Sequence, residues 1–172
     1  MQYIRLAHLK DAKELLILQH KVMDLYRLAF CNENVPDALK EGLDEIKESI
    51  ESRTVYICEL VDKTKQSIIG SIRISQKDEH LTHRQISRFI VHPDYQSNGV
   101  GSKLLDFVIQ KVKKELPLEE ELTLRLITAM ANEKGIKLYE RFGFHLSEVL
   151  TDQGYKQGLY ECSISADVHK QV

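Results

Sequence analysis

The sequence predicts an α+β fold or a mixed-sheet α/β layer fold, and three observations support this. Short apolar runs typical of strands are mixed with segments of helical periodicity, but the two types do not alternate strictly. Two pairs of predicted strands are joined by polar loops without an intervening helix, which indicates hairpins. One strand runs through a glycine-rich turn directly into a helix.

The predicted strands are short apolar or alternating runs bounded by turn-forming residues. The first alternates only weakly, and the second and third are joined by the turn 62–66 as a hairpin. In chain order the strands cover Tyr3–Leu6, Thr54–Leu60, Ser67–Ser75, Gln85–Val91, Leu122–Thr128, Phe144–Val149 and Leu159–Ser165. The last two form a closing hairpin around a long polar loop.

The predicted helices carry apolar residues three and four positions apart. Asp11 is placed to cap the first helix, and the segment Cys31–Pro36 ends it. That helix has the apolar residues Leu15, Leu16, Leu18, Val22, Met23 and Leu25. The other expected helices are Pro36–Glu51, Gly99–Leu116 (closed by Pro117) and Asn132–Phe142.

Composition limits the classes of protein to consider. A chain of 172 residues with 42% hydrophobic content is expected to form a single domain over residues 1–172. Its formal charge of −2 offers no electrostatic case for nucleic acid. We also expect no membrane association, because no apolar run approaches the ~20 residues of a membrane span.

The cysteines and the first residues bear on the cellular compartment. Cys31, Cys58 and Cys162 form an odd, widely spaced set, which argues against a disulfide framework or a zinc site. The start of the chain lacks the apolar core of a signal peptide. We therefore expect a cytoplasmic protein without a bound metal.

The segment Phe89–Leu105 is the most informative part of the chain. An apolar run stops at Pro93, a polar loop ends in Gly-x-Gly, and helical periodicity begins at once. A helix start exposes unpaired N–H groups, and glycines let a phosphate approach them closely. A P-loop is excluded because Gln96 stands where its first glycine is needed, and a dinucleotide loop is excluded because Leu104 stands at its third glycine.

The remaining pattern, Gln96-x-x-Gly99-x-Gly101, resembles the acyl-CoA loop of the GNAT N-acetyltransferases, which is written Arg/Gln-x-x-Gly-x-Gly/Ala. The residues before it, 91–95, are similar to that family too. Downstream, Asn132 followed by Leu138–Phe144 resembles the family's second signature. The resemblance covers Ile86–Phe144.

This resemblance implies the GNAT acyl-CoA N-acyltransferase fold, a mixed sheet with helices on both faces and two parallel central strands that part at one end. Those strands would be Gln85–Val91 and Leu122–Thr128. The implied activity is transfer of acetyl from acetyl-CoA to a primary amine by direct attack on the thioester.

An acetyl-CoA site follows from the loop together with the resemblance. Backbone N–H groups from Ser97 to Ser102 would meet the diphosphate, and the edge of Phe89–Val91 would pair with the pantetheine arm like an added strand. The plainer alternative is that Gly-x-Gly only forms a turn. The expected contacts are Phe89, Ile90, Val91, Gln96, Ser97, Asn98, Gly99, Val100, Gly101, Ser102, Asn132 and Tyr139. For Asn132, a cofactor contact and a helix N-cap are compatible.

Tyr139 matches the family's general acid, which protonates the coenzyme thiolate. An ordinary tyrosine has a pKa of about 10 and a thiol about 8.5, so full proton transfer would be uphill by roughly 2 kcal/mol. A hydrogen bond shared during bond cleavage is the more plausible picture. The alternative is a core aromatic residue whose hydroxyl is satisfied within the protein.

The general base stays open. Many members of the family place a glutamate where this chain has Gln85, and the later strand region Leu126–Met130 contains no acid. His80, His83, Glu33 and Glu59 remain candidates, but no motif places any of them. A water chain, or an acceptor that arrives partly neutral, would also serve.

The residues before the first hairpin usually shape the acceptor site in this family, and here they are acidic. The acids Glu33, Asp37, Glu41, Asp44, Glu45, Glu48 and Glu51 outnumber Lys40, Lys47 and Arg53. This surplus favours a small cationic amine, or the amine of a peptide or protein. The alternative is a solvated amphipathic helix.

Two rival interpretations remain. The chain could be a catalytically weak homologue that binds or senses acyl-CoA, which Gln85 favours and Tyr139 opposes. It could also be a phosphate-binding protein of another kind. The closing hairpin could pair across a homodimer, although no residue requires this.

Overall fold

The computed structural model describes residues 1–63, 65–151 and 154–166, and within them one mixed sheet of seven strands organises the chain. The strands are β1 (Gln2–Leu6), β2 (Val55–Val61), β3 (Gln66–Ile74), β4 (His83–Val91), β5 (Glu121–Ala129), β6 (His145–Leu150) and β7 (Gln157–Ser165). Their order in the sheet is β1-β2-β3-β4-β5-β7-β6. All seven predicted strands are present, with no end shifted by more than two residues.

Helices cover both faces of this sheet, which confirms the predicted fold class. They are α1 (Ala12–Phe30), α2 (Asp37–Lys40), α3 (Leu43–Glu51), α4 (Val100–Glu115) and α5 (Glu133–Arg141). One buried cluster lies where α1 and α3 pack on the sheet, around Leu15, Ile46 and Ile57. A larger cluster lies under α4 and α5, around Leu104 and Tyr139.

Two helix predictions were wrong in detail. The helix expected over Pro36–Glu51 is broken into α2 and α3 at Glu41 and Gly42, because the Glu41 side chain turns inward to two arginines and Gly42 begins α3 in extended backbone. Asp11 immediately precedes α1 but does not cap it with its side chain. Its carboxylate instead accepts hydrogen bonds from Arg5 Nη1 at 2.7 Å and from the His8 N–H at 2.8 Å.

The centre of the sheet opens at one end. β4 and β5 run parallel and pair only from His83 to Gln85 against Thr123 to Arg125, and then they part. The two strands predicted to part are the ones that do so. From Ile86 onward β4 therefore presents one backbone edge to the opening instead of to a neighbouring strand.

A β-bulge in β4 lies beside this opening. Arg73 faces Ser87 and Ser71 faces Ile90, so β4 has one residue more than β3 in this interval. Arg88 has the positive φ of 48° that accommodates the extra residue. A bulge bends its strand and redirects side chains, and Arg88 and Phe89 both reach the cavities described below.

The start of α4 lies close to the sheet because Gly70 has no side chain. A Cβ at this position would lie 2.9 Å from Val100 Cγ1 and 3.2 Å from the Ile90 carbonyl oxygen. Because Gly70 pairs with Val91 in the sheet, this contact sets the height of the α4 N-terminus above the end of β4.

We therefore expect Gly70→Ala to lower the free energy of unfolding by about 1–3 kcal/mol, the usual cost of overpacking a core. Urea denaturation of the variant measures this. Gln66→Ala, at an exposed position of the same strand, is the control and should change stability by less than about 0.5 kcal/mol. Equal stability of Gly70→Ala and the parent protein would contradict the close contact.

Candidate active site

The turn between β4 and α4 has the backbone of an anion site. Ser97 and Gly99 have positive φ angles of 65° and 78°, and Gly99 is the residue immediately before α4. A Cβ built on Gly99 meets no atom of the described chain within 4 Å, so this position faces open space. Successive N–H groups in such a turn, together with the positive end of a 16-residue helix, attract a phosphate.

A cavity of about 670 Å³ opens on this turn, and we call it the loop cavity. Its walls come from the end of β4, the start of α4, one side of α5 and the second half of α1. Every residue expected to contact acetyl-CoA lines it except Asn98 and Val100. The Val100 side chain is buried in the core instead, against Gly70.

A second cavity of about 420 Å³ is lined by both parted strands, and we call it the cleft cavity. The segment 34–38, the facing strands β4 and β5, and Leu150, Tyr155 and Gln157 from around the β6–β7 loop line it. The two cavities share Tyr26, Phe89, Asn132 and Tyr139. They therefore meet between the parted strands.

Asn132 lies at this junction with both of its polar atoms engaged. Its Oδ1 accepts a hydrogen bond from the Gly135 N–H at 3.2 Å, so it is the N-cap of α5. Its Nδ2 donates to Thr128 Oγ1 at 3.0 Å. The cap alternative is thus confirmed, and the side chain also lines both cavities.

Tyr139 is 8% exposed and packs among aromatic rings. The nearest ring centroids belong to Phe89 at 6.1 Å, Phe144 at 6.3 Å and Tyr160 at 6.5 Å. Within the described part of the chain its hydroxyl makes no hydrogen bond, and the residue lines both cavities. Burial, and to a lesser degree the nearby Tyr26, raises the pKa of Tyr139, so the phenol holds its proton firmly.

Tyr26, on α1, is a second phenol at the junction that the sequence did not single out. Its oxygen accepts a hydrogen bond from the Ala129 N–H at 2.7 Å and lies 3.3 Å from Thr128 Oγ1. No motif marks this residue, because an aromatic residue on the buried side of a helix is ordinary. Tyr26 and Ala129 are 103 positions apart in the sequence, so no local pattern could predict this contact.

The candidates for a general base lie elsewhere. His80, His83, Glu33 and Glu59 line neither cavity, and Glu59 is bound to Arg5 at 3.0 Å. Gln85 does line the cleft cavity, with its amide nitrogen donating to the Ile86 carbonyl at 3.3 Å.

Asp37 is the one carboxylate among the described residues that line the cleft cavity. It is exposed and pairs with Lys40 at 2.9 Å, and this hydrogen bond lowers the pKa of Asp37. The other six acids counted in this region of the sequence are not part of the lining. Sequence alone could not separate Asp37 from them, because all seven belong to one short acidic stretch.

The Glu41 carboxylate is held in hydrogen bonds by neighbouring side chains and is not a free charge. Arg73 and Arg88 each donate to it at 2.9 Å, and Gln19 Nε2 donates at 2.7 Å. Burial on its own would raise the pKa of Glu41, but the hydrogen bonds from Arg73, Arg88 and Gln19 outweigh it and lower the pKa to about 2. Because Arg88 lines the cleft cavity, Glu41 fixes one wall of that cavity.

In residues 1–63, 65–151 and 154–166, no three His, Cys, Asp or Glu side chains are grouped so that they could hold a metal ion. None of the helices there is long and apolar enough to cross a membrane.

Comparison with known proteins identifies the family. Residues 19–144 match the model of the Acetyltransferase (GNAT) family, which is most of the chain. The chain therefore belongs to the GNAT acetyltransferase family, and it is an acyltransferase by class. This confirms the resemblance seen in the sequence.

Individual relatives are more distant. The chain is 30% identical over 113 residues to the UPF0157 protein YqkA of Bacillus subtilis, a match that spans 66% of this chain but only 29% of that protein. The ribosomal-protein-S18-alanine N-acetyltransferase of Escherichia coli is 17% identical with a TM-score of 0.70, covering 100% of this chain and 99% of the other. The PaiA N-acetyltransferase of Thermoplasma acidophilum, solved in complex with coenzyme A, is 16% identical with a TM-score of 0.75, covering 94% and 98%. At these identities the two structures show a shared fold.

We expect Glu41→Gln to lower the free energy of unfolding at pH 7 by about 3 kcal/mol, because it leaves two partly buried arginines without their carboxylate. The depressed pKa means that the contribution of Glu41 is complete above pH ~4.5 and disappears as pH falls toward 2. Denaturation of both proteins at pH 7 and pH 3 should therefore show a smaller difference at pH 3. Asp24→Asn, which breaks the exposed pair with Arg27, is the control, with an effect within about 0.5 kcal/mol.

Proposed function

We propose that this protein is an N-acetyltransferase that moves the acetyl group of acetyl-CoA to a primary amine. The observation that supports this most is the meeting of two cavities at Tyr139. One cavity opens on the glycine-rich turn before α4, and the other is lined by the same phenol together with the facing strands β4 and β5. A transferase that brings two substrates together for direct attack needs this arrangement.

The residues of the loop cavity fit coenzyme A. The turn from Ser97 to Ser102 offers N–H groups to the diphosphate, and the unpaired edge of β4 at Phe89–Val91 offers backbone partners to the pantetheine amides. The coenzyme in the Thermoplasma acidophilum neighbour supports the same assignment for this chain.

The cleft cavity would take the amine. Asp37 at its rim would attract a cationic group, in keeping with a small cationic amine or an amine of a peptide or protein as acceptor. The amine must reach the junction neutral, and Gln85 cannot remove its proton. We assign that proton to water in the cleft cavity, because among the described residues that line this cavity the only carboxylate lies at its exposed rim.

Acetyl-CoA supplies a thioester, whose carbonyl carbon is activated toward attack. As the new C–N bond forms and the C–S bond breaks, an electron pair and negative charge move to sulfur. Tyr139 donates a hydrogen bond to that sulfur. Because the pKa of Tyr139 is raised, its proton is shared with sulfur during cleavage rather than fully transferred.

The rival proposal, an acyl-CoA-binding homologue with weak activity, also has an observation in its favour. The amide of Gln85 stands in the cleft cavity where a carboxylate base would be useful. Under that proposal the coenzyme binds but turnover stays near background.

A binding comparison followed by a turnover assay separates these proposals. We expect coenzyme A to raise the melting temperature, whereas ATP and NAD at equal concentration do not. Release of free thiol from acetyl-CoA, followed over a panel of polyamines, aminoglycosides and lysine peptides, should then reveal an acceptor. Binding without turnover over the whole panel would favour the rival, and stabilisation by ATP or NAD but not coenzyme A would refute both.

We expect Tyr139→Phe to lower kcat by about 10²-fold with little change in the affinity for coenzyme A, because only the proton donor is lost. Steady-state kinetics from pH 6 to 10 and calorimetric titration with coenzyme A measure the two quantities. Tyr56→Phe removes the hydroxyl of another buried tyrosine, one that lines neither cavity, and should leave both unchanged. Parental turnover of Tyr139→Phe across this pH range would remove the assigned role.

A further inference from the structure

From the hydrogen bonds around the junction of the two cavities we infer that Tyr26 is a second proton donor to the sulfur that leaves during acetyl transfer. The inference rests on the proposed function, and it assigns a residue of α1 that lies outside the sequence motifs of the loop and of α5. Three features of the structure support it: the position of Tyr26, the direction of its proton, and the stabilisation of the phenolate that it would leave.

The position of Tyr26 comes from the opening in the sheet. β4 stops pairing with β5 at Gln85, so the backbone of β5 beyond this point lacks a strand on that side. The Tyr26 hydroxyl enters this space and accepts the Ala129 N–H at 2.7 Å. The phenol thereby lies between the parted strands and, like Tyr139, lines both cavities.

The direction of the Tyr26 proton follows from the partners of Thr128. The Gly135 N–H binds Asn132 Oδ1, so Asn132 Nδ2 must be the group that faces and donates to Thr128 Oγ1. Thr128 is 3% exposed, and its own proton needs an acceptor. Among the described residues the other partner of Thr128 Oγ1 is the Tyr26 oxygen at 3.3 Å, and we orient the Thr128 O–H toward it.

In this orientation the Tyr26 oxygen accepts two hydrogen bonds, one from Ala129 and one from Thr128. Its own O–H then has no acceptor in the described part of the chain and faces the junction of the two cavities. A bound thioester would supply the missing acceptor there.

The two accepted bonds also suit Tyr26 to giving up its proton. When the C–S bond breaks and its electron pair moves to sulfur, the Tyr26 O–H bond breaks and an S–H bond forms. The resulting phenolate keeps the hydrogen bonds from Ala129 and Thr128, and it recovers a proton through water from the amine nitrogen, which must lose one. Burial raises the pKa of Tyr26, but Thr128 and Ala129 oppose this rise, whereas no such bond opposes it for Tyr139.

The test measures binding, so it does not depend on finding the acceptor. Coenzyme A and desulfo-coenzyme A, which lacks only the sulfur, are titrated calorimetrically at pH 9, where most of the thiol is ionised. A hydrogen bond to a thiolate should make the parent protein prefer coenzyme A by about tenfold, and Tyr26→Phe should lose most of this preference. Tyr56→Phe is the matched control and should keep it.

Thr128 provides a second pair of variants that leaves the Tyr26 ring in place. Thr128→Val removes the hydroxyl that binds the Tyr26 oxygen and should reduce the preference about threefold. Thr128→Ser retains the hydroxyl and should restore it. This pair decides the matter if Tyr26→Phe does not fold, and a merely structural role for Thr128 predicts equal loss of affinity for both coenzymes.

The outcomes separate the inference from the proposed function. If Tyr26→Phe keeps the full preference for coenzyme A, or the parent protein has none, the role of Tyr26 is refuted while the coenzyme site stands. If Thr128→Val and Thr128→Ser behave alike, the orientation of the phenol by Thr128 is refuted. If neither coenzyme binds the parent protein, the proposed function falls and the inference falls with it.

Discussion

The structure depends on one break in backbone pairing, the parting of β4 and β5 after Gln85 and Arg125. Two parallel strands in the middle of a sheet normally satisfy each other's N–H and C=O groups, and an interruption leaves those groups without partners. Here the break is compensated on the β5 side, where the Tyr26 hydroxyl satisfies the Ala129 N–H, whereas the free edge of β4 faces the loop cavity. The opening that costs the sheet its continuity is also the place where the two cavities meet.

Two groups of contacts fix the walls of the opening, a close packing contact and a set of ion pairs. Because Gly70 has no side chain, α4 packs in close contact with the sheet. This places the turn at Gly99 beside the end of β4. On the opposite face Glu41 binds Arg73 and Arg88 and so anchors the bulged part of β4 to the break between α2 and α3. Both contacts join segments far apart in the chain, and both position backbone that would otherwise be free to shift.

The sequence predicted what local patterns encode. Apolar periodicity located each strand, and the residues around Gly99 and Gly101 predicted the strand-turn-helix unit because glycine spacing and helix starts are local features. The limits of α2 and α3 were wrong because the break at Glu41 depends on arginines 32 and 47 positions away. The position of Tyr26 in the site was not predicted for the same reason, because its partner Ala129 comes from another part of the chain. Asp37 could be counted among the acids but not distinguished from the others, because exposure at a cavity rim is set by tertiary structure.

The strand order bears on how this molecule is made. β7 follows β6 along the chain but lies between β6 and β5 in the sheet. During synthesis on the ribosome, β5 therefore has no antiparallel neighbour until Gln157–Ser165 has emerged, long after the glycine turn and α4 are available to fold. Completion of the β5–β7–β6 half of the sheet is thus a late event, and a nascent chain that stalls before β7 would expose the apolar side chains of β5 to chaperones.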